Sequence, residues 1–183
     1  MEKGQIFCIL GPNGAGKTTT FSILSNKRSA TAGKIQIHGQ DVSKLSERSY
    51  TIGVCLQSNT LWDYLTVEQH PKIYAYAKGM PSSYINENIM ILLSALGLED
   101  HKQKRVNQLS GGSKRKLCAA IAILGGPDVI FLDEATTGVD AMGRSMIWKL
   151  LKAVAQKKEV AIILSTHYIE DAEFIADKLG EKN

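Results

Sequence analysis

The sequence predicts an α/β fold, with a mainly parallel sheet and helices on both of its faces. The first observation is that short apolar runs, typical of buried strands, alternate with segments of helical spacing. The second is a length of 183 residues with 44% hydrophobic residues, which suits one domain with a sizeable core. The predicted strands are residues 5–10, 34–38, 52–56, 128–132 and 160–164, and the predicted helices are residues 17–26, 86–96, 111–124, 143–157 and 168–179.

Local patterns support the elements of the first half. Residues 5–10 are mostly apolar, as expected for a strand buried on both faces. Residues 34–38 alternate like a half-exposed strand, which Gly39-Gln40-Asp41 is expected to end. Thr66 and Gln69 form a capping-box pattern, and the following Pro71 is expected to kink that helix or to shift its start.

Apolar spacing supports the elements of the second half. In residues 86–96 apolar side chains recur at helical intervals, and Gly97 is a natural helix stop. The helix over 111–124 carries apolar residues along one side, and that over 143–157 is amphipathic. Residues 128–132 and 160–164 are short, mostly apolar runs, as expected for buried parallel strands.

Charge and cysteine content exclude several classes of protein. The formal net charge of +4 is a mild excess that does not indicate nucleic-acid binding, and residues 102–105 and 114–116 are interpreted as solvated basic helix faces. Cys8, Cys55 and Cys118 are odd in number and lack C-x-x-C spacing, so we expect small buried side chains in a reducing compartment. No apolar run approaches the ~18 residues of a membrane span, and no signal peptide is predicted.

A glycine-rich loop after the first strand has the pattern G-x-x-x-x-G-K-T. A strand before it and a helix after it predict a phosphate-binding loop, because glycines turn backbone N–H groups inward at a positive helix end. Lys17 is expected to contact the β- and γ-phosphates, and the Thr18 hydroxyl to ligate Mg²⁺. The alternative is a glycine-rich turn that binds nothing. The predicted nucleotide-binding residues are Gly11, Pro12, Asn13, Gly14, Ala15, Gly16, Lys17, Thr18 and Thr19.

Two acidic residues end the apolar run 129–132. Beside the phosphate-binding loop, such a strand would bring Asp133 near Mg²⁺ and place Glu134 where an attacking water loses a proton. The alternative is a solvated strand end. Ser110 precedes two glycines at a predicted helix start, which indicates an N-cap with backbone N–H groups open to an anion, although a helix cap alone would explain it.

These motifs together resemble those of ABC-type ATPase domains. Leu109-Ser110-Gly111-Gly112 between the phosphate-binding loop and the Leu132-Asp133-Glu134 strand end is similar to the family signature. Gln57, residues 137–140 with Asp140, and His167 resemble the family's Q-loop glutamine, D-loop and switch histidine. The resemblance covers nearly the whole chain and extends to the A subfamily, whose members mainly transport lipids.

The resemblance implies a P-loop NTPase core at 1–58 and 125–183, with a helical subdomain inserted at about 59–124. It implies that two ATP molecules are held between two such domains, with Ser110, Gly111 and Gly112 contacting the ATP in the partner's phosphate-binding loop. Gln57 would sense Mg²⁺ and the attacking water, and His167 would contact the γ-phosphate. The implied cofactors are ATP and Mg²⁺. The implied partners are a second nucleotide-binding domain and the transmembrane domains of a transporter, which would hold the chain at the cytosolic face of a membrane.

The two ends of the chain depart from the family pattern. Family members carry an aromatic residue well upstream of the phosphate-binding loop that stacks on adenine, and this chain begins shortly before Gly11 and ends soon after Asp177. We therefore expect a domain truncated at both ends relative to a full ABC domain. The leading hypothesis is an ATPase that powers transport, with lipid as the expected substrate. The alternatives are a truncated, non-hydrolysing nucleotide-binding or interaction module and a soluble ABC ATPase of translation or DNA repair.

Overall fold

The computed structural model describes residues 1–43 and 50–181. The helices are α1 (Lys17–Leu24), α2 (Gln69–Ala77), α3 (Ser82–Ala95), α4 (Gly111–Ile123), α5 (Ala141–Lys158) and α6 (Ile169–Ile175). The strands are β1 (Ile6–Leu10), β2 (Gln36–Ile37), β3 (Gln40–Asp41), β4 (Ile52–Cys55), β5 (Val129–Asp133), β6 (Ala161–Thr166) and β7 (Lys178–Glu181). Two 3₁₀ turns, Glu99–His101 and Val106–Gln108, lie between α3 and α4.

The main sheet has the strand order β4-β5-β6-β1-β7, and each neighbouring pair is parallel. The prediction of an α/β fold with a mainly parallel sheet is confirmed. Because the strands are parallel, all their carboxyl ends lie at one edge. The segments that follow β1, β4, β5 and β6 therefore meet there, and these segments carry the predicted site residues.

The core lies on both faces of this sheet. Ile130 and Leu132 of β5 face the larger hydrophobic cluster, which α4, α5 and α6 cover. Val129 and Phe131 face a smaller cluster beneath α1, where the rings of Phe21 and Phe131 meet edge to face at 6.3 Å. The period of two along β5 therefore divides its side chains between the two layers, and helices cover both faces as predicted.

The chain between the adjacent strands β4 and β5 contains the helices α2, α3 and α4. Thr66 and Gln69 form the expected reciprocal capping bonds, from Thr66 N to Gln69 Oε1 at 2.9 Å and from Gln69 N to Thr66 Oγ1 at 3.2 Å. Pro71 is the third residue of α2, where a backbone N–H has no partner within the helix. The start of the helix is thus shifted, as one of the two expectations for Pro71 required.

Two predicted elements were wrong. Residues 168–179 do not form one helix, because α6 ends at Ile175 and Asp177 then exchanges hydrogen bonds with Ile6, which aligns β7 with β1. Residues 34–38 are not one strand ended by Gly39. His38 (φ 53°) and Gly39 (φ 75°) form a two-residue turn, and Gln40–Asp41 pairs antiparallel with Gln36–Ile37.

Burial of the cysteines follows the prediction. Cys8, Cys55 and Cys118 are buried and carry free thiols. Burial raises the pKa of Cys8 and of Cys55 to about 12 and also raises that of Cys118. Within the described residues, no helix is both long and apolar enough to cross a bilayer.

Candidate functional site: the phosphate-binding edge of the sheet

The loop between β1 and α1 encloses a cavity of about 290 Å³ at the carboxyl edge of the sheet. Gly14 (φ 89°) and Gly16 (φ 81°) adopt left-handed conformations, which glycine reaches without steric cost. These two residues allow the tight wrap of the loop around the cavity. Its lining consists of Asn13, Gly14, Gly16, Lys17, Thr18, Thr19, Gln57 and Glu134.

Lys17 is the basic side chain of this cavity. It is only 4% exposed, and its ammonium group donates hydrogen bonds to the carbonyl oxygens of Gly11 (2.8 Å) and Pro12 (3.0 Å). The same Nζ lies 3.4 Å from Oε1 of Glu134. The loop therefore fixes a buried positive charge against the carboxylate that follows β5.

Glu134 lies at the point where four segments converge. Its carboxylate accepts a hydrogen bond from Gln57 Nε2 at 3.1 Å and a long one from Thr137 Oγ1 at 3.5 Å. His167 Nδ1 lies 3.7 Å from Oε1. The structure thus brings together Lys17, Gln57, Glu134 and His167, which sequence reasoning had identified from four separate motifs.

The backbone of Glu134 is strained. Its φ of 48° is left-handed, a conformation that costs a residue other than glycine about 1–3 kcal/mol and that persists where surrounding contacts impose it. One such contact is the hydrogen bond from Glu134 N to Ser165 Oγ at 3.0 Å. In this conformation the Glu134 side chain lines the cavity.

Asp133 lies beside a second cavity of about 220 Å³, which Thr18 and Gln57 also line. Ser165 Oγ donates to Oδ1 of Asp133 at 2.6 Å, and no group in the described part of the chain donates to Oδ2. Across those described ranges, no group of three or more His, Cys, Asp and Glu side chains could hold a metal ion. The three predicted metal ligands, Thr18, Gln57 and Asp133, line this one cavity, and each has a side-chain oxygen.

The predicted signature residues lie elsewhere. Ser110 caps α4 by accepting a hydrogen bond from Ser113 N at 3.2 Å, as its N-cap prediction requires. A Cβ added at Gly112 would lie 3.3 Å from the Gly138 carbonyl oxygen, so this glycine packs closely against the 137–140 loop. Asp140 caps α5 through Gly143 N at 2.6 Å. The structure does not bring Ser110, Gly111, Gly112 or Asp140 to the phosphate cavity of their own chain.

Sequence reasoning missed Arg115. The basic run 114–116 predicts a solvated face, yet Arg115 is 4% exposed and donates to the carbonyl oxygens of Gln57 and Glu134. A signal was present, because Cys118 and Ala119, three and four residues further along α4, are small and apolar. The other basic segment, residues 102–105, is exposed as expected, but it forms a turn and not a helix.

The model of the ABC transporter family matches residues 1–137. The chain belongs to the ABC transporter family. It carries the family's ATP-binding cassette, and the relatives described next are members of the A family of these transporters, as the motifs had indicated.

Three curated relatives show the extent of the similarity. The chain is 40% identical over 182 residues to the cholesterol transporter ABCA5 of Rattus norvegicus, 41% identical over 183 residues to ABC transporter A family member 2 of Arabidopsis thaliana, and 42% identical over 181 residues to the glucosylceramide transporter ABCA12 of Mus musculus. These matches cover 97–98% of this chain. The chain spans 11%, 18% and 7% of the three relatives, respectively.

Solved structures confirm the fold. An ATP-binding subunit of an ABC transporter superposes with a TM-score of 0.89 at 25% identity, and the match covers all of this chain and 76% of that one. A cassette in a post-hydrolysis state, bound to ADP and phosphate and solved as a dimer, gives a TM-score of 0.88 at 25% identity over 83% of its length. The P-loop NTPase-like fold is therefore shown.

Proposed function

We propose that this chain hydrolyses ATP with Mg²⁺ and thereby powers the transport of a lipid by membrane domains. The observation that carries the proposal is the convergence of Lys17, Gln57 and His167 on the carboxylate of Glu134, which lines the phosphate cavity. The side chains of Lys17, Gln57 and His167 all lie within 4 Å of this carboxylate. Such a cluster supplies a base and positive charge where a phosphoryl group is transferred.

The residues present fit a Mg²⁺ ion. Thr18, Gln57 and Asp133 offer oxygen donors around one cavity, and Mg²⁺ with a nucleotide needs only one or two protein ligands, because phosphates and water complete its shell. The hydrogen bond from Ser165 orients the Asp133 carboxylate. When bound, the ion would neutralise charge on the β- and γ-phosphates.

Glu134 is the proposed general base. Its carboxylate takes a proton from water as the water oxygen attacks the γ-phosphorus, and the products are ADP and phosphate. Gln57, which donates to Oε2, orients this carboxylate. Lys17 and His167 would balance the developing negative charge on the phosphoryl oxygens.

A second cassette is the proposed partner. Ser110, Gly111 and Gly112 lie at the N-terminal end of α4 and outside the chain's own phosphate cavity, which supports a role on nucleotide held by another copy. Gly112 packs on the loop that carries Asp140, so the two motifs would form one contact surface. The solved cassette that forms a dimer at 25% identity supports this arrangement.

Membrane domains are the proposed second partner. The loop after Gln57 leads to Trp62 and Tyr64, which are 52% and 78% exposed and would suit an apolar partner surface. This loop lies in the helical subdomain that we propose at about 59–124. The relatives that transport cholesterol and glucosylceramide support a lipid as the substrate. Through these domains the chain would lie at the cytosolic face of a membrane.

Phosphate release by the purified chain tests the enzymatic part. We expect release that requires both ATP and Mg²⁺ and that falls ~10²–10⁴-fold in Glu134→Gln, since the amide cannot accept the proton. Glu173→Gln, on the exposed side of α6, is the matched control and should hydrolyse like the parent. ATP binding without any Mg²⁺-dependent release would favour the alternative of a non-hydrolysing module.

A further inference from the structure

Arg115 is a buried cation without a described ion-pair partner. It is on α4, one turn beyond the glycines of the signature, and its guanidinium donates only to oxygens of uncharged groups. Within residues 1–43 and 50–181, no carboxylate forms a salt bridge with it. A buried charge is costly unless it is well hydrogen-bonded, so this arrangement calls for a reason beyond helix surface charge.

The two ends of the guanidinium bind two different loops. Nη1 donates to the carbonyl oxygens of Leu56 (2.7 Å) and Gln57 (2.9 Å), with a longer contact to Asn59 Oδ1 at 3.4 Å. Nη2 donates to the carbonyl oxygens of Asp133 (3.1 Å) and Glu134 (2.7 Å). One planar group therefore bridges the segment after β4 and the segment after β5.

The contact on Glu134 supports its strained backbone. With φ at 48°, this residue needs surrounding contacts to stay in the left-handed conformation. Ser165 Oγ binds its N–H and Arg115 Nη2 binds its carbonyl oxygen, so both backbone polar groups are held. Thr137 N also donates to this carbonyl oxygen at 3.2 Å, so loss of the Arg115 contact would leave the strained peptide with fewer hydrogen bonds to keep its carboxylate in the cavity.

We propose that Arg115 is a positioning residue, which holds the backbones of Gln57 and Glu134 in one arrangement and ties both to the helix that begins at the signature. The inference rests on the proposed hydrolysis at Glu134. The planar fork is essential, because its two nitrogens serve the two loops at the same time, whereas a lysine ammonium is a single point of donation. Movement of α4 would then be transmitted to the base and to the glutamine together.

The test compares Arg115→Lys and Arg115→Met with Lys116→Met, a matched loss of charge at the next position of α4. We expect Arg115→Lys to lower kcat at least tenfold while the ATP dissociation constant stays within about threefold. We also expect amide hydrogen exchange to rise at least tenfold in peptides covering both 56–59 and 134–137. Lys116→Met should leave kcat and the exchange of both segments unchanged.

Three outcomes would overturn the proposal. Parent-like kcat in Arg115→Lys would mean that charge alone suffices, and faster exchange in only one segment would mean that the two loops are not linked. Exchange raised evenly over the chain, with a lower unfolding temperature, would show a structural role only. If Arg115→Met does not fold, Arg115→Lys decides. If the parent releases no phosphate, the proposed hydrolysis fails, and the exchange data still decide whether Arg115 links the loops.

Discussion

Lys17 Nζ lies 3.4 Å from Glu134 Oε1, and both side chains are almost fully buried. This ion pair joins the phosphate-binding loop after β1 to the acidic end of β5, although the two residues are far apart in sequence. The Lys17 ammonium also donates to the carbonyl oxygens of Gly11 and Pro12, so the same cation contacts both the loop and Glu134. The charge that would bind phosphate and the carboxylate that would activate water are therefore positioned by one contact.

Lys17→Ala should weaken ATP binding severely. A charge-assisted contact contributes about 1.5–3 kcal/mol, so the dissociation constant should rise roughly 10- to 150-fold. Titration with a labelled nucleotide measures it, and Lys149→Ala on the exposed side of α5 is the control. Equal affinity for ATP in Lys17→Ala and the parent would show that this loop does not bind phosphate.

Glu134→Gln should form a dimer in ATP and not in ADP. Unhydrolysed γ-phosphate would bridge the phosphate-binding loop of one copy and Ser110–Gly112 of the other, whereas ADP lacks the bridging group. Sedimentation at high protein concentration, with each nucleotide, measures the dimer.

Two variants of Ser110 separate capping from recognition in that dimer. Ser110→Arg should block the dimer, and Ser110→Ala, which only removes the N-cap, should cost about 1 kcal/mol of stability. Ser83→Arg is the matched control, because it introduces the same bulk and charge at an exposed position in the first turn of α3. A dimer equally populated in ATP and ADP, or unaffected by Ser110→Arg, would rule out the sandwich.

Stability should fall as the pH drops below about 6.5, because of His70. This side chain is fully buried, its Nε2 accepts a hydrogen bond from Trp62 N at 2.8 Å, and burial lowers its pKa below the usual 6.5. Between the folded-state pKa and 6.5, His70 therefore binds a proton in the unfolded chain but not in the folded chain. The stabilising effect is complete above pH 6.5 and is lost as the pH falls through the folded-state pKa.

Urea unfolding at several pH values between 5 and 8 measures this effect. His70→Gln keeps a side-chain acceptor for Trp62 N but cannot titrate in this range, so its stability should change less with pH than that of the parent. Identical pH dependence in the two proteins would mean that other groups cause the loss.

Gly53→Ala should destabilise the fold. An added Cβ would lie 2.0 Å from the Ala122 carbonyl oxygen, so α4 would have to move away from β4. Overpacking of this kind costs about 1–3 kcal/mol, which should lower the urea midpoint at an unchanged slope. Gly111→Ala is the control, because an added Cβ there meets nothing within 4 Å. Its urea midpoint should equal that of the parent or be slightly higher. A Gly53→Ala midpoint equal to that of the parent would show that α4 is not packed so closely.

The sequence predicted the fold and the loops that carry the site. Strand-loop-helix order and parallel topology place every such loop at one edge, so Lys17, Gln57, Glu134 and His167 could be expected together once each motif was identified. The wrong elements, 34–38 and 168–179, each contain residues of a strand whose partner the hydrophobic pattern does not show. Strand β7 is formed by hydrogen bonds to β1, which is far away in the sequence, and the hairpin is formed by the left-handed turn at His38 and Gly39.

What the sequence by itself determined is the local chemistry: glycines for the phosphate loop, an acidic strand end and a capped signature helix, all of which follow from the conformations that neighbouring residues allow. Only the tertiary structure decided that Arg115 faces inward. In sequence it is one of three consecutive basic residues, and its helix position alone permits a solvated side chain. The carbonyl groups that accept its hydrogen bonds belong to the segments after β4 and β5, and these segments become neighbours only when β4 and β5 pair.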